Sequence, residues 1–171
     1  MFPKIIKLIL AIVFLLYGGY EFYENYIGNG IFLTLLSLMM VLVYFKNEMI
    51  FLAFLRLRKQ DFIGTERWLN KIKNPDSSLV RKQQGYFYYL HGIIQSQNNL
   101  TVAEKHFKKA IQLGLSMTHD LAMAKMSLAG IMMQKRRKRE STALLNEAKK
   151  LDKHGMLKDQ IKMMQQQMKR I

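Results

Sequence analysis

Cysteine is absent from this sequence of 171 residues. Its absence excludes disulfide bonds, metal sites built from thiolates, and cysteine nucleophiles. Glycine-rich phosphate loops, zinc-ligand spacings and glycine-flanked serine nucleophiles are missing as well. The four histidines lie more than ten residues apart and have no carboxylate at metal-binding helical spacing. We therefore expect no enzyme, no metal site and no cofactor.

Acidic residues are scarce along the whole chain. Only 12 aspartates and glutamates accompany 27 lysines and arginines, which gives a net charge of +15. Among the basic residues, Lys4 and Lys7 precede residue 46 and all the others follow residue 45. This distribution predicts two regions of different character, an apolar start and a basic remainder.

The apolar start contains two long hydrophobic runs, residues 5–20 and 31–45. At a rise of about 1.5 Å per residue, each run is slightly shorter than a bilayer core of about 30 Å, and flanking aromatic residues can extend both. Positive charges precede the first run and follow the second, whereas the connection holds Glu21 and Glu24. The positive-inside rule then predicts that residues 1–46 form a transmembrane helical hairpin with both termini in the cytoplasm. The expected location is a bacterial inner membrane.

Two other interpretations of the first run remain open. Lys4 and Lys7, followed by residues 8–16, could form a cleaved signal peptide, although no small-x-small cleavage site follows. Both runs could also be buried in the core of a soluble protein. Because neither proline nor glycine occurs between Ile31 and Gln60, the second run is predicted to continue into the next helix. The glycosylation sequon at Asn99 is predicted to be unmodified, because this topology places it in the cytoplasm.

Beyond residue 46 the sequence repeats with an offset of 38 residues. Segments 49–72, 87–110 and 125–148 align, and apolar or small residues recur at matching positions. The matching sets are Leu52, Leu90 and Leu128; Ala53, His91 and Ala129; Thr65, Ala103 and Ser141; Leu69, Phe107 and Leu145; and Ile72, Ala110 and Ala148. Large residues recur where helices must fill space, and small ones where helices must cross closely.

In the middle copy, Ala103, Phe107 and Ala110 form an A-x-x-x-F-x-x-A pattern, and residues 85–94 form an aromatic-Leu-Gly segment. These two segments resemble the second and first helices of the tetratricopeptide repeat, a unit of about 34 residues. The offset of 38 residues exceeds that length, and only the first copy has a proline, Pro75, near the end of its second helix. A generic array of helical hairpins is the alternative.

The resemblance implies an all-α solenoid in residues 47–171, with repeats at about 46–79, 84–117 and 122–155. Residues 156–171 are predicted to form a capping helix, because apolar side chains recur there at spacings of four, three and four. Those apolar residues are Leu157, Ile161, Met164 and Met168.

The resemblance also implies that the inner face of the solenoid binds a peptide. The carboxylate clamp of the family's chaperone-tail binders is missing here, and apolar side chains stand at the groove positions instead. Such a groove favours an apolar or amphipathic segment of a protein partner. The predicted groove residues are Ile50, Phe54, Tyr88, Tyr89, Met123, Met126 and Met133. The alternative is that they are core residues, covered by the C-terminal helix or packed on the hairpin.

The densest basic run of the chain falls at the turn inside the third repeat. With two basic residues of the second repeat, it is predicted to face anionic lipid headgroups or RNA phosphates, and a solvated turn is the alternative. The residues are Lys135, Arg136, Arg137, Lys138 and Arg139, together with Arg81 and Lys82.

We therefore expect a membrane-anchored adaptor or scaffold that docks a protein partner through its repeat groove, within a membrane complex. A basic surface module that binds RNA or anionic lipid is the alternative, although nucleic acid is not favoured as a partner.

Overall fold

The computed structural model describes residues 4–45 and 48–169. These residues form ten α-helices and no strands, which confirms the all-α prediction. The chain divides into two compact units, Met1–Glu48 and Met49–Ile171.

The first unit is a pair of helices, α1 (Lys4–Tyr23) and α2 (Ile27–Phe45). Small residues form the seam between them, where Ala11 and Ser37 are buried and the Ser37 hydroxyl donates a 2.8 Å hydrogen bond to the Ala11 carbonyl. Large apolar side chains point outward, and Leu16 is 69% exposed and Phe32 65% exposed. The two helices therefore meet through their small residues and present their large ones.

The prediction of a transmembrane hairpin is wrong. Within residues 4–45 and 48–169, no helix combines the length and the apolar character that a membrane crossing requires. The runs 5–20 and 31–45 are short of the roughly 20 apolar residues of a spanning helix, and polar or glycine residues such as Glu21, Gly28 and Asn29 adjoin them. The placement in a bacterial inner membrane with a cytoplasmic repeat domain fails with it. The predicted continuity of the second run with the next helix depends on residues 46–47, which lie outside the described residues.

From residue 48 onward the helices follow one another as three helix-turn-helix pairs, which we call hairpins. The first hairpin consists of α3 (Glu48–Arg58) and α4 (Phe62–Leu69). After the single turn α5 (Pro75–Ser78), the second consists of α6 (Arg81–Gln95) and α7 (Leu100–Leu113). The third consists of α8 (Thr118–Gln134) and α9 (Lys138–Leu151), and α10 (Lys158–Lys169) follows it.

The three hairpins keep the 38-residue register of the sequence. Their second helices begin after N-cap residues Asp61, Asn99 and Arg137, and the aligned Leu69, Phe107 and Leu145 are all 0% exposed. The aligned small residues Thr65, Ala103 and Ser141 are also fully buried. In the first and third hairpins the turn uses a left-handed residue at the same position, Gln60 with φ 59° and Arg136 with φ 58°. The sequence repeat is thus a structural repeat.

Buried side chains of the second unit form two clusters. The larger runs from Met49 and Ile50 of α3 to Met132 of α8 and includes Leu69, Leu90 and Phe107. The smaller joins α8 and α9 to α10. Its members are Ala122, Ala129, Leu145, Ala148, Leu157, Ile161 and Met168. The last helix therefore packs its apolar face on the third hairpin.

Candidate partner-binding surface

Three of the predicted groove residues, Ile50, Phe54 and Tyr89, belong to the core or pack against it. Ile50 is buried in the larger cluster, and Phe54 is half-buried against it. Tyr89 of α6 is also buried, with its ring 6.1 Å from that of Phe107 in an edge-on contact. These three side chains leave little surface for a partner.

Tyr88 faces α7 and α5 instead of an open groove. Its hydroxyl accepts a hydrogen bond from Lys109 Nζ at 2.5 Å and lies 3.5 Å from Asp76 Oδ1. Its ring stacks on His106 at 5.8 Å, and Lys109 Nζ lies 4.1 Å from the ring centroid. The side chain is half-buried and held on two sides.

His91 continues this aromatic stack into the hairpin. Its ring lies 4.6 Å from Phe87 and 5.5 Å from His106. Burial, and secondarily the nearby His106, lowers the pKa of His91 to about 4, and burial also lowers the pKa of His106. Because the folded state resists protonation, these histidines disfavour folding as the pH falls below their ordinary range. The internal repeat gave no indication of this stack, because the residues aligned with His91 in the other two copies are Ala53 and Ala129.

The three predicted groove methionines lie on α8 beside α10. Met123, Met126 and Met133 are half-buried and pack against the smaller cluster. A Cβ added at Gly130, on the same helix, would lie 3.4 Å from Met164 Cε of α10. The last helix thus lies against α8 at these predicted groove residues.

A cleft that the sequence did not suggest lies between α7, α8 and α9. It has a volume of about 400 Å³. Its apolar lining comes from Ile111 of α7, Leu128 and Met132 of α8, and Leu144 of α9. Charged residues of both signs surround these side chains, namely Lys108, Lys125, Glu140 and Glu147. Lys125 and Glu147 form an ion pair that joins α8 to α9.

Part of the predicted basic run is engaged inside the protein. Glu104 of α7 is only 8% exposed and accepts hydrogen bonds from Lys108 Nζ at 2.6 Å, Lys135 Nζ at 2.7 Å and Arg137 Nη1 at 2.9 Å. Arg137 also donates two hydrogen bonds to Glu140, at 2.7 and 2.6 Å. The bonds from Lys108 and Lys135, and further that from Arg137, lower the pKa of Glu104 to about 2. We call these four residues, Glu104, Lys108, Lys135 and Arg137, the Glu104 cluster.

The other predicted basic residues are exposed but lie in two places. Arg136, Lys138 and Arg139 have no acidic partner among the residues that the structure describes. Arg81 and Lys82 lie in the first turn of α6, whereas Lys135 reaches the start of α7, at the opposite end of the second hairpin. Because α6 has 15 residues, about 20 Å separates the two groups. One continuous basic face is therefore not formed.

A cavity of about 330 Å³ with three basic residues in its lining lies at the first hairpin. Its lining includes Arg56, Arg67, Lys71 and Trp68. Arg56 already pairs with Asp61 at 3.1 Å, and Lys71 Nζ lies 3.7 Å over the ring of Trp68. Two of its three basic side chains, Arg56 and Lys71, thus already interact with other residues of the protein.

No protein-family model matches this chain. A search of curated proteins found no match, and a search of solved structures found none either. Within the described ranges, no group of three or more histidines, cysteines, aspartates or glutamates is placed to hold a metal ion.

Proposed function

We propose that residues 49–169 form a tetratricopeptide-like adaptor that docks a segment of a protein partner. The observation that carries the proposal is the cleft between α7, α8 and α9, set in an array with a 38-residue register. Helical hairpin arrays present such surfaces on rigid helices, and binding there needs no catalytic group. The resemblance of the middle copy to the tetratricopeptide repeat supports the same conclusion.

The cleft favours a short amphipathic segment. Apolar side chains of the segment would contact Ile111, Ala143 and Leu144, the apolar lining residues that keep exposed surface. The two lysines and two glutamates around the lining already pair with charged residues of this chain, so the apolar side of the segment would supply the main contact. A volume of about 400 Å³ is in the range of ordinary ligand pockets, about 300–1,000 Å³. The partner would insert one or two side chains.

Blocking the cleft tests the proposal. Ala143 lines the cleft and is exposed, so Ala143→Trp fills the opening without replacing a core residue. Asn146→Trp places the same side chain elsewhere on α9, at an exposed residue outside the lining. A photo-cross-linker at Gln112, another exposed lining residue, reports what occupies the cleft in cells that naturally contain the protein.

We expect a discrete protein adduct with the unmodified chain and with Asn146→Trp, and at least a tenfold lower yield with Ala143→Trp, about 1.4 kcal/mol of binding free energy. An adduct that survives Ala143→Trp would remove the cleft from the binding surface. Absence of any adduct would do the same.

A further inference from the structure

The turn between α8 and α9 separates the basic run into two sets. Lys135 and Arg137 reach Glu104 on one side. Between them, Arg136 adopts a left-handed conformation with φ 58° and does not join the Glu104 cluster. Arg136 and Lys138 instead line a small recess with Met133 and Met168. Alternate residues of the run therefore serve two different environments.

Lys138 also lines a larger cavity between α9 and α10, with a volume of about 390 Å³. The helix α10 contributes Lys162, Gln165 and Gln166, and Met168 lies in the lining of both this cavity and the recess. Arg136, Lys138 and Lys162 therefore lie around one continuous region of the surface. None of the three has an acidic partner in the part of the chain that the structure describes.

We propose that this region, formed by Arg136, Lys138, Lys162, Gln165 and Gln166, binds the phosphate group of a small ligand. Lysine and arginine donate charge-assisted hydrogen bonds to phosphate oxygens, and glutamine amides add neutral donors. The hydroxyl of Thr142, the remaining lining residue, already donates to the Lys138 carbonyl at 2.8 Å. Three cations without acidic partners match a phosphate that carries more than one negative charge.

Two comparisons favour this region and this ligand class. The cavity at the first hairpin has its cations Arg56 and Lys71 engaged with Asp61 and Trp68, so it offers less free charge. Among the residues that the structure describes, no aromatic side chain lines the α9–α10 cavity, whereas single-stranded nucleic acid is usually held by base stacking on aromatic rings. The site does not depend on the adaptor function, since it shares no lining residue with the cleft.

Calorimetric titration of the full chain with inorganic pyrophosphate tests the site. Lys138→Gln and Lys162→Gln each remove one cation, and we expect each to weaken pyrophosphate binding about tenfold, the effect of losing one hydrogen bond to a charged group. Lys150→Gln makes the same change of net charge on α9, at an exposed lysine outside the lining. We expect it to change the affinity less than about twofold.

Binding measurements with two further probes identify the source of the phosphate. The same variants are tested with phosphatidylcholine vesicles that do or do not contain phosphatidic acid, and with a single-stranded RNA. Binding of pyrophosphate, or of phosphatidic acid vesicles only, with loss in Lys138→Gln and Lys162→Gln, supports the site and assigns the phosphate to a free compound or to a lipid headgroup. Equal weakening by Lys150→Gln, no binding of either phosphate probe, or variant-sensitive binding of RNA alone would overturn it.

Discussion

The helical pair of α1 and α2 and the hairpin array from α3 onward use apolar residues in opposite ways. In the pair, Ala11 and Ser37 are buried while Leu16 is 69% exposed. In the array, Leu69 and Phe107 are 0% exposed. Two helices share only one seam, and small residues let them approach closely there. Helices of the array have several neighbours, so large side chains can be enclosed on more than one side. Burial of a side chain thus depends on the number of neighbours as well as on hydrophobicity.

The stabilising contributions differ accordingly. Enclosing a side chain such as Phe107 removes it from water, which contributes about 1.5–3 kcal/mol. The α1–α2 seam gains mainly van der Waals contact between backbones, with the hydrogen bond from Ser37 to Ala11 added. We therefore expect a change of packing in the array to alter the free energy of unfolding. A change of packing at the seam should instead alter the distance between α1 and α2.

The largest effect is expected at a tight contact inside the array. A Cβ added at Gly85 of α6 would lie 2.3 Å from the carbonyl oxygen of Gly114, between the second and third hairpins. Backbone cannot yield as a side chain can, so Gly85→Ala should lower the unfolding free energy by about 2–3 kcal/mol. Urea unfolding measures the change. Gly130→Ala is the matched control, because its new Cβ makes only ordinary contact with Met164, and it should leave stability unchanged or raise it by up to about 1 kcal/mol.

A smaller effect is expected from the Glu104 cluster. Glu104→Gln removes the charge that Lys108, Lys135 and Arg137 share. We expect a loss of about 1–2 kcal/mol at pH 7, because the half-exposed partners are screened by water. Glu147→Gln, which breaks the pair with Lys125 at a more exposed carboxylate, should cost less than about 1 kcal/mol. Equal losses in the two variants would show that burial of Glu104 adds nothing.

The Glu104 cluster should also make the free energy of unfolding depend on pH in the acidic range. Since the folded-state pKa of Glu104 is about 2, against an ordinary value of 4.5, its contribution is present above pH 4.5 and is lost as the pH falls toward 2. Urea unfolding between those pH values should show a shallower decline in Glu104→Gln than in the unmodified chain. An identical decline would contradict the assigned pKa.

The smallest effect concerns the α1–α2 seam. A Cβ at Gly18 would lie 3.3 Å from Leu33 Cβ, whereas a Cβ at Gly19 meets no atom within 4 Å. Gly18→Leu should therefore separate the helices by about 1–2 Å, within the usual range of helix spacings, and Gly19→Leu should not. Spin labels on cysteines introduced at the exposed Leu16 and Leu35 measure the distance, and the chain has no other cysteine to label. Equal distances in both variants would show that small size at Gly18 is not what sets the spacing.

Periodicity predicted the register of the array, because burial at one position recurs 38 residues later, as at Leu69, Phe107 and Leu145. It also placed the second helices, although Asn99 attracted attention as a sequon and in fact caps α7 by accepting bonds from Thr101 N and Val102 N. These features depend on neighbours in sequence or on a fixed offset. They are therefore readable before the fold is known.

The candidate sites were much less predictable, because they depend on which helix faces which. Glu104 lies 31 residues before Lys135, so a count of charges could not show that part of the basic run is neutralised. The groove residues were assigned by analogy of position, yet Tyr88 turned toward His106 and Lys109. The apolar runs 5–20 and 31–45 misled in another way. Their composition suggested a membrane crossing, but no helix among the described residues combines the length and the apolar character that a crossing requires.

The position of α10 has a consequence for the exposed face of the third hairpin. Leu157, Ile161 and Met168 pack on α8 and α9, which is where the first helix of a fourth hairpin would lie if the stacking continued. Each hairpin of a regular array offers its successor an apolar face, so growth has no inherent end point. By covering that face with a helix whose exposed residues include Lys162 and Gln166, the chain denies neighbouring molecules a template on which to add.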